Sequence, residues 1–311
     1  MKPDELKARL QWSLEEKIEY SLEKIWEFYH YHSGNVIVSF SGGKDSSVLL
    51  WLVRKQFPDT KALFVNTRVE YPELVKFTLK TPNVSVIYPK YRFDKIIKNY
   101  GYPMVSKKVS RFVHDLQNPT VRNEKTRILR DTGYTKDGRS LPRYKIPKKW
   151  RFMVDSQFRF SDRCCVFLKE IPLHGMKTNA FVGTLANDSQ RRLLGYLKHG
   201  CNWLGKRPRS MPLGFWTQND VVRCIAENDI PVCDIYGDLV QTGDVYEFSK
   251  MQHTGCIFCG FGVQFEQRPN RFEKLRTTHP RLHGYAMRKL GIGDVLDFMQ
   301  KNCNNKDLFN Y

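Results

Sequence analysis

Apolar residues open the chain at helical spacing: Leu10, Leu14, Ile18, Leu22, Ile25, Trp26 and Tyr29. This predicts one or two amphipathic helices over Pro3 to Tyr31, with a packing role. After a turn at Ser33-Gly34-Asn35 the pattern changes to short, continuous apolar runs of strand length. Val36–Phe40, Lys61–Asn66 and Val84–Tyr88 are the first three strands, the third closed by Pro89. Helical patterns separate and follow them, at Val48–Val53, Glu73–Lys80 and Phe93–Tyr100. The alternation resumes with a strand at Ala180–Thr184 and a helix at Asn187–Lys198. Thr217 is a good N-cap for a further helix over Val221–Asn228. Strands alternating with helices predict an α/β fold with a doubly wound, mainly parallel sheet. Ligands on such sheets sit beyond the carboxyl ends of the strands, which puts Ser41–Ser46 and the loop from Asn66 to Tyr71 on one rim.

Between Val105 and Arg151 the periodicity degrades. That stretch holds fourteen Lys or Arg against four Asp or Glu. It reads as an ordered basic insertion or lid, either a solvated surface or a clamp for phosphate or a nucleic-acid backbone. In the second reading Tyr144 and Trp150 are the stacking candidates. The expected organisation is an N-terminal helical segment (1–34), an α/β domain (35–245) carrying the insertion (105–151), and a C-terminal extension (246–311).

Composition narrows the partners. The formal charge is +19, from 51 Lys and Arg against 32 Asp and Glu, which favours polyanions such as nucleotides, DNA or tRNA. No apolar run is long enough to span a bilayer, so no membrane partner is expected. The charged stretch Met1 to Lys17 has no signal-peptide core, and a cytoplasmic protein is expected. Eight cysteines in an intracellular chain point to metal or catalytic use rather than disulfides.

The strongest chemical signal is Ser41-Gly42-Gly43-Lys44-Asp45-Ser46, between the first strand and an apolar helix. Such a strand–loop–helix junction aims backbone N–H groups and a positive helix end at an anion. Adjacent glycines permit close approach of a pyrophosphate, and Lys44 adds a compact charge. The spacing is not that of a Walker A loop. The bland alternative is a glycine turn with a solvated lysine.

These residues resemble the SGG-x-DS signature of the PP-loop ATP pyrophosphatases, and most nearly the phosphoadenosine phosphosulfate (PAPS) reductase branch. The resemblance covers most of residues 35–300. It implies an adenine nucleotide α-hydrolase-like fold and an enzyme acting at the α-phosphate of ATP, adenylyl sulfate or PAPS. The candidate nucleotide-binding residues are Ser39, Ser41, Gly42, Gly43, Lys44, Asp45, Ser46 and Asn66, with Arg191 and Arg192 available to a second substrate. Lys44 and Asp45 are the catalytic candidates, Asp45 as the carboxylate that positions Mg²⁺.

The second signal is the placement of four cysteines. Cys164-Cys165 is followed, about ninety residues later, by Cys256-Ile257-Phe258-Cys259, with Gly255 and Gly260 on either side. Adjacent thiolates diverge, so they suit the separate corners of a cubane better than one tetrahedral ion; zinc and unligated thiols are the alternatives. The flanking glycines allow backbone N–H groups near the sulfurs. The pattern resembles the [4Fe–4S] motif of iron–sulfur adenylyl-sulfate reductases, which implies ligands at Cys164, Cys165, Cys256 and Cys259. A cubane with four protein ligands has no open corner, and its role would be structural or electrostatic.

The chain departs from the reductases at its end. Their C-terminal nucleophilic cysteine sits in a Glu-Cys-Gly-x-x-His-type segment, whereas Cys303 lies in Lys301-Asn302-Cys303-Asn304. Cys303 is either an exposed tail thiol or a nucleophile activated by Lys301 or Lys306; Cys201 is a second candidate. Cys224 falls on an apolar helix face, and Cys233 is undecided. Arg268 and Arg271 face either a nucleotide or a salt-bridge partner, and His279 before Pro280 is a turn residue or a base. This segment resembles PAPS-reductase-like proteins of phages and mobile elements.

Three readings follow. The leading one is a PP-loop enzyme with a [4Fe–4S] cluster that activates or transfers sulfur, with a sulfur donor and a nucleic-acid acceptor. The second is an adenylyl-sulfate or PAPS reductase that releases sulfite and draws electrons from a thioredoxin-like partner. The third is a nucleic-acid-binding module with a structural cluster.

Overall fold

The computed structural model describes every residue except 175, 177 and 304–311. In chain order, α1 (Pro3–Leu10) and α2 (Leu14–Tyr31) precede β1 (Val36–Ser39), α3 (Lys44–Gln56), β2 (Ala62–Val65), α4 (Pro72–Lys80), β3 (Val84–Ile87) and α5 (Phe93–Tyr100). Next come β4 (Met104–Val105), α6 (Lys107–Gln117), α7 (Glu124–Thr132) and the short α8 (Arg163–Cys165). The chain continues with β5 (Asn179–Val182), α9 (Gln190–His199), β6 (Asn202–Trp203), β7 (Arg209–Ser210) and α10 (Gln218–Glu227). It ends with β8 (Leu239–Thr242), β9 (Val245–Phe248), β10 (Gly260–Phe261), α11 (Arg271–Thr278), α12 (Pro280–Gly284) and α13 (Ile292–Asn302).

Two compact units emerge. The first comprises 1–66, 70–88 and 173–254; the second comprises 67–69, 89–172 and 255–311. They cut the chain differently from the linear division expected at 34 and 245. The N-terminal helices belong to the unit that holds the sheet, while the basic stretch and the C-terminal segment share the other. The physical reason lies in side chains that reach across sequence, as follows.

In the first unit the six strands run in the order β3-β2-β1-β5-β7-β6. All neighbours are parallel except the edge pair β6–β7. This is the doubly wound, mainly parallel sheet flanked by helices that the alternation predicted. Its order reverses at β1, which pairs with β2 on one side (Val38 with Ala62) and β5 on the other (Val36 with Asn179). The crevice beyond the carboxyl ends of β1 and β5 is therefore the topological switch point, where such sheets bind ligands. The core is apolar on the strands at and beside this crevice: Val38 of β1, Phe181 of β5 and Phe64 of the neighbouring β2 are buried.

Helix α2 is bound to this unit by more than its apolar face. Ser13 caps it, accepting from the Glu16 N–H, and Phe28 packs edge-on against Phe181 with ring centroids 5.1 Å apart. The fully buried Lys17 donates to Asp220 at 2.7 Å and to the Leu10 carbonyl at 3.0 Å. Trp216 Nε1 donates to Ser21 Oγ (3.0 Å), which in turn donates to the Pro212 carbonyl (2.9 Å). Thr217 caps α10, as its residue type predicted.

In the second unit, β4 pairs in parallel with β10, joining residues far apart in sequence. The stretch 105–151 is largely helical. Val109, Phe112 and Val113 of α6 are buried, and Arg130 of α7 lies 3.9 Å from the Phe112 ring centroid while pairing with Asp115. Trp150 is also buried, which removes it as a stacking surface; Tyr144 is only half-buried. The apolar spacing of α6 was masked by its lysines and arginines, whose aliphatic stems cover apolar neighbours.

Candidate functional site

The loop after β1 is built to turn tightly. Gly42 has φ +75°, and a side chain there would collide with Thr78 Oγ1. Gly43 is the N-cap of α3, with extended backbone. Ser46 Oγ donates to the Gly43 carbonyl (2.8 Å) and accepts from the Ser41 N–H (3.2 Å); the two serine hydroxyls lie 3.1 Å apart. The Lys44 N–H, in the first turn of α3, donates to the Tyr236 hydroxyl at 2.9 Å, and that hydroxyl meets Thr254 Oγ1 at 3.1 Å. An oxygen ligand already sits where a helix N-terminus places an anion oxygen. Burial pushes the Tyr236 phenol up to about 12, so it stays neutral.

Lys44 is itself buried, at 2% exposure. A buried ammonium needs partners. Its Nζ donates to Asp45 Oδ1 at 2.9 Å and to Gln218 Oε1 at the start of α10. Gln218 Nε2 donates to Asp188 Oδ1 (2.9 Å), and Asp188 is paired with Arg192 of α9. One polar chain thus runs from Asp45 through Lys44, Gln218 and Asp188 to Arg192. An ammonium has three protons, and two are engaged here, which leaves one direction for an incoming oxygen. On the other side of the crevice, Gly183 follows β5; a Cβ there would stand 2.9 Å from the Asp45 carbonyl oxygen. Partial burial and the cations Lys44 and Arg192 lower the His253 imidazole pKa, against the opposing pull of Asp45 and Asp188.

Within the second unit, the four cysteines of the two motifs interact electrostatically. Cys164 and Cys165 end α8 and lead into a π-turn over Val166–Glu170. The Cys164 thiol shares a hydrogen bond with Cys165; that hydrogen bond and burial push its thiol far up, with Cys259 and Cys256 adding to the effect. The same bond pulls Cys165 down, aided by Lys107 and Lys169. Burial pushes Cys259 up to about 11, against Arg271. The Cys256–Cys259 loop is pinned by the Ile257 N–H on the Val69 carbonyl (2.8 Å) and by Arg271 Nη1 on the Cys259 carbonyl (3.0 Å). Gly260 serves β10, where a side chain would strike Met104. Among the described residues no group of three or more His, Cys, Asp or Glu stands in metal-holding geometry.

Residues 35–118 match the family model described as the phosphoadenosine phosphosulfate reductase domain. The match takes in β1, the glycine loop, α3 and the strands β2 and β3. No curated protein matches the chain. Among solved structures, it is similar to the phosphoadenylyl-sulfate (PAPS) reductase from Candida auris in its phosphate complex, at 12% identity and a TM-score of 0.39, covering 82% of this chain and 98% of that one. It is also similar to the FMN adenylyltransferase of Candida glabrata, at 14% identity and a TM-score of 0.37, covering 74% of this chain and 64% of the other.

Of the residues expected at a nucleotide site, the structure brings together Ser41, Gly42, Gly43, Lys44, Asp45, Ser46 and, through Gln218 and Asp188, Arg192. Arg191 is exposed on α9. Ser39 ends β1, in register with Leu63 and Val182. Asn66 is buried and donates its N–H to the Ile87 carbonyl (2.9 Å). Cys201 is buried against the Tyr196 hydroxyl at 2.9 Å, with its thiol pKa raised by burial, a packing role. Cys224 is core, pushed up to about 12, and Cys233 is buried. Arg268 pairs with Glu273 and Arg271 with Glu266. His279 caps α11, where it meets Thr278 Oγ1. Cys303 is half-buried, and burial raises its thiol against a small opposing effect of Lys149; Lys306 lies outside the described residues. Sequence reading missed Gln218, Tyr236, His253 and Thr254. Each lies more than a hundred residues from the glycine loop, and none has a motif of its own.

Proposed function

We propose that this chain is a PP-loop enzyme that binds ATP or an adenylylated anion such as adenylyl sulfate or PAPS, and acts on the α-phosphate linkage to activate or transfer sulfur. The observation that carries this reading is Lys44, a buried cation at the N-terminus of α3 with Asp45 and Gln218 as partners. Such a cation costs several kcal/mol to bury, and its place at the switch point of the sheet gives that cost a use. Phosphate oxygens would take the Gly42 N–H, the Ser41 hydroxyl and the remaining proton of Lys44. Arg192, positioned by Asp188, would bind a second anionic group. Asp45 is the partly exposed carboxylate beside them and would hold Mg²⁺, which neutralises charge on the leaving pyrophosphate. With ATP, an acceptor oxygen attacks the α-phosphorus, the bond to the bridging oxygen breaks, and pyrophosphate departs; with an adenylyl sulfate the leaving group of the same attack is sulfate.

Cys164, Cys165, Cys256 and Cys259 are the residues that would hold a [4Fe–4S] cluster. Four thiols sharing one electrostatic neighbourhood, with a lysine beside Cys165, suit an anionic thiolate-bound group. Fully ligated, the group would supply structure and charge. The exposed Arg143, Lys145, Lys148 and Lys149 make DNA or tRNA a reasonable acceptor. The reductase reading needs a thiolate nucleophile, and burial raises the Cys303 thiol, which disfavours it.

The deciding assay gives the anaerobically purified protein ATP with Mg²⁺ and, separately, adenylyl sulfate with a thiol reductant. Pyrophosphate release that Lys44→Ala abolishes supports the proposal. Sulfite release without pyrophosphate release would replace it with the reductase. The absorbance of the same preparation tests the cluster: a colourless, zinc-loaded protein sinks that part alone.

A further inference from the structure

A groove of about 710 Å³ lies along α3 and α4 of the first unit, sharing no residue with the Ser41–Ser46 loop. Phe40, Leu50, Trp51, Phe77 and Ile230 contribute its apolar wall. Phe40, Leu50 and Ile230 are buried at its floor, while Trp51 and Phe77 are half-buried along it. Its polar lining has one sign. Arg54, Lys55 and Lys80 are the charged residues along it, and no acidic residue is among those lining it. Arg54 is committed to structure, donating to the Thr60 carbonyl at 3.3 Å and the Asn83 carbonyl at 3.2 Å. Lys55 and Lys80 are exposed, and the Lys55 ammonium lies 4.8 Å from the Trp51 ring centroid.

We propose that this groove binds a free small acid of amphiphilic shape, its apolar chain or ring against Trp51, Phe77 and Ile230 and its carboxylate at the Lys55–Lys80 rim. Two features select this occupant. The volume lies in the range of small-ligand sites, which are mostly apolar with a few placed polar groups. A protein partner would need a far wider buried surface. The cationic rim without acidic neighbours selects an anion over a neutral lipid or an amine. The proposal stands independently of the nucleotide site.

The test uses the full chain and decanoate below its micelle concentration, with decanol as the neutral control, read by methyl NMR at Leu50 and Ile230. Saturable decanoate shifts confined to these and neighbouring methyls are expected, with decanol several-fold weaker. The surface variant Lys55→Gln/Lys80→Gln should weaken decanoate by roughly 3–10-fold and leave decanol unchanged. No saturable shift, or decanoate binding indifferent to both lysines, overturns the proposal. So does a dimer by sedimentation that Trp51→Glu dissociates, because a second copy would then cover the groove.

Discussion

Lys44 concentrates the chemistry of the first unit into one side chain, and its partners make it testable. Gln218→Ala removes one of two acceptors from a buried ammonium, and the expected cost is about 1–3 kcal/mol of stability. A lysine no longer aimed at the crevice should also bind ATP roughly tenfold more weakly, a difference of about 1.4 kcal/mol. Urea unfolding and nucleotide titration of the same variant check both effects; unchanged affinity would leave Gln218 a packing residue. The cysteines make a second residue-scale prediction. In metal-free protein at neutral pH, iodoacetamide should modify Cys165 first, since Cys164 and Lys107 favour its thiolate while burial raises the Cys201, Cys224 and Cys303 thiols. Peptide mapping checks the order, and Lys107→Gln should slow the Cys165 reaction. Ser41 to Ser46 and the paired cysteines stand out in the sequence because each carries a local signature. Gln218 and Tyr236 do not, because a glutamine at a helix start and a tyrosine after a loop acquire meaning only when folding brings them to Lys44.

At the scale of elements, alternation of apolar runs predicted β1, β2, β3 and β5 to within about two residues, and α5 is a helix over Phe93–Tyr100 as expected. Those elements were legible because each presents a complete periodic face. The β8–β9 hairpin escaped notice, although its closing pair Thr242–Val245 brackets Gly243-Asp244, a two-residue turn signal. The β4–β10 pair is two residues long and joins distant segments, so no periodicity announces it. Lys17 looks like a surface residue in sequence, yet it is buried, and its bond to Asp220 is one of the contacts that tie α2 to the sheet unit. Lys17→Met leaves the Asp220 carboxylate without its cation, held only by the Thr217 N–H, and should cost roughly 3 kcal/mol, measured as a shift in the denaturation midpoint. Gly183→Ala should destabilise as well, because its Cβ would press on the Asp45 carbonyl and the backbone has no room to yield.

For the whole molecule, the titrating groups set the pH range of stability. Burial lowers the native pKa values of His32, His114, His253 and His283, and Nε2 of His32 and of His283 is buried without a hydrogen-bond partner among the described residues. The unfolded chain therefore binds more protons below about pH 6.5, and stability present above that value is lost as pH falls toward the native values. The raised thiols of Cys201, Cys224 and Cys233 act at the other end, where stability is lost as pH rises above about 8.5. Denaturant midpoints should fall between pH 7.5 and 5.5; a rise on acidification would contradict the lowered imidazole pKa values. The net charge of +19 gives the molecule a long-range attraction for polyanions. Among the described residues no helix is long and apolar enough to cross a membrane.

The central claim is that the loop after β1 holds an adenine nucleotide through Lys44. Calorimetric titration of the intact protein with ATP and Mg²⁺, beside Lys44→Ala, tests it most directly. The account predicts saturable one-site binding to the parent chain and its loss in the variant. Equal binding by both proteins, or none by a folded parent chain offered ATP, adenylyl sulfate and PAPS in turn, would contradict it.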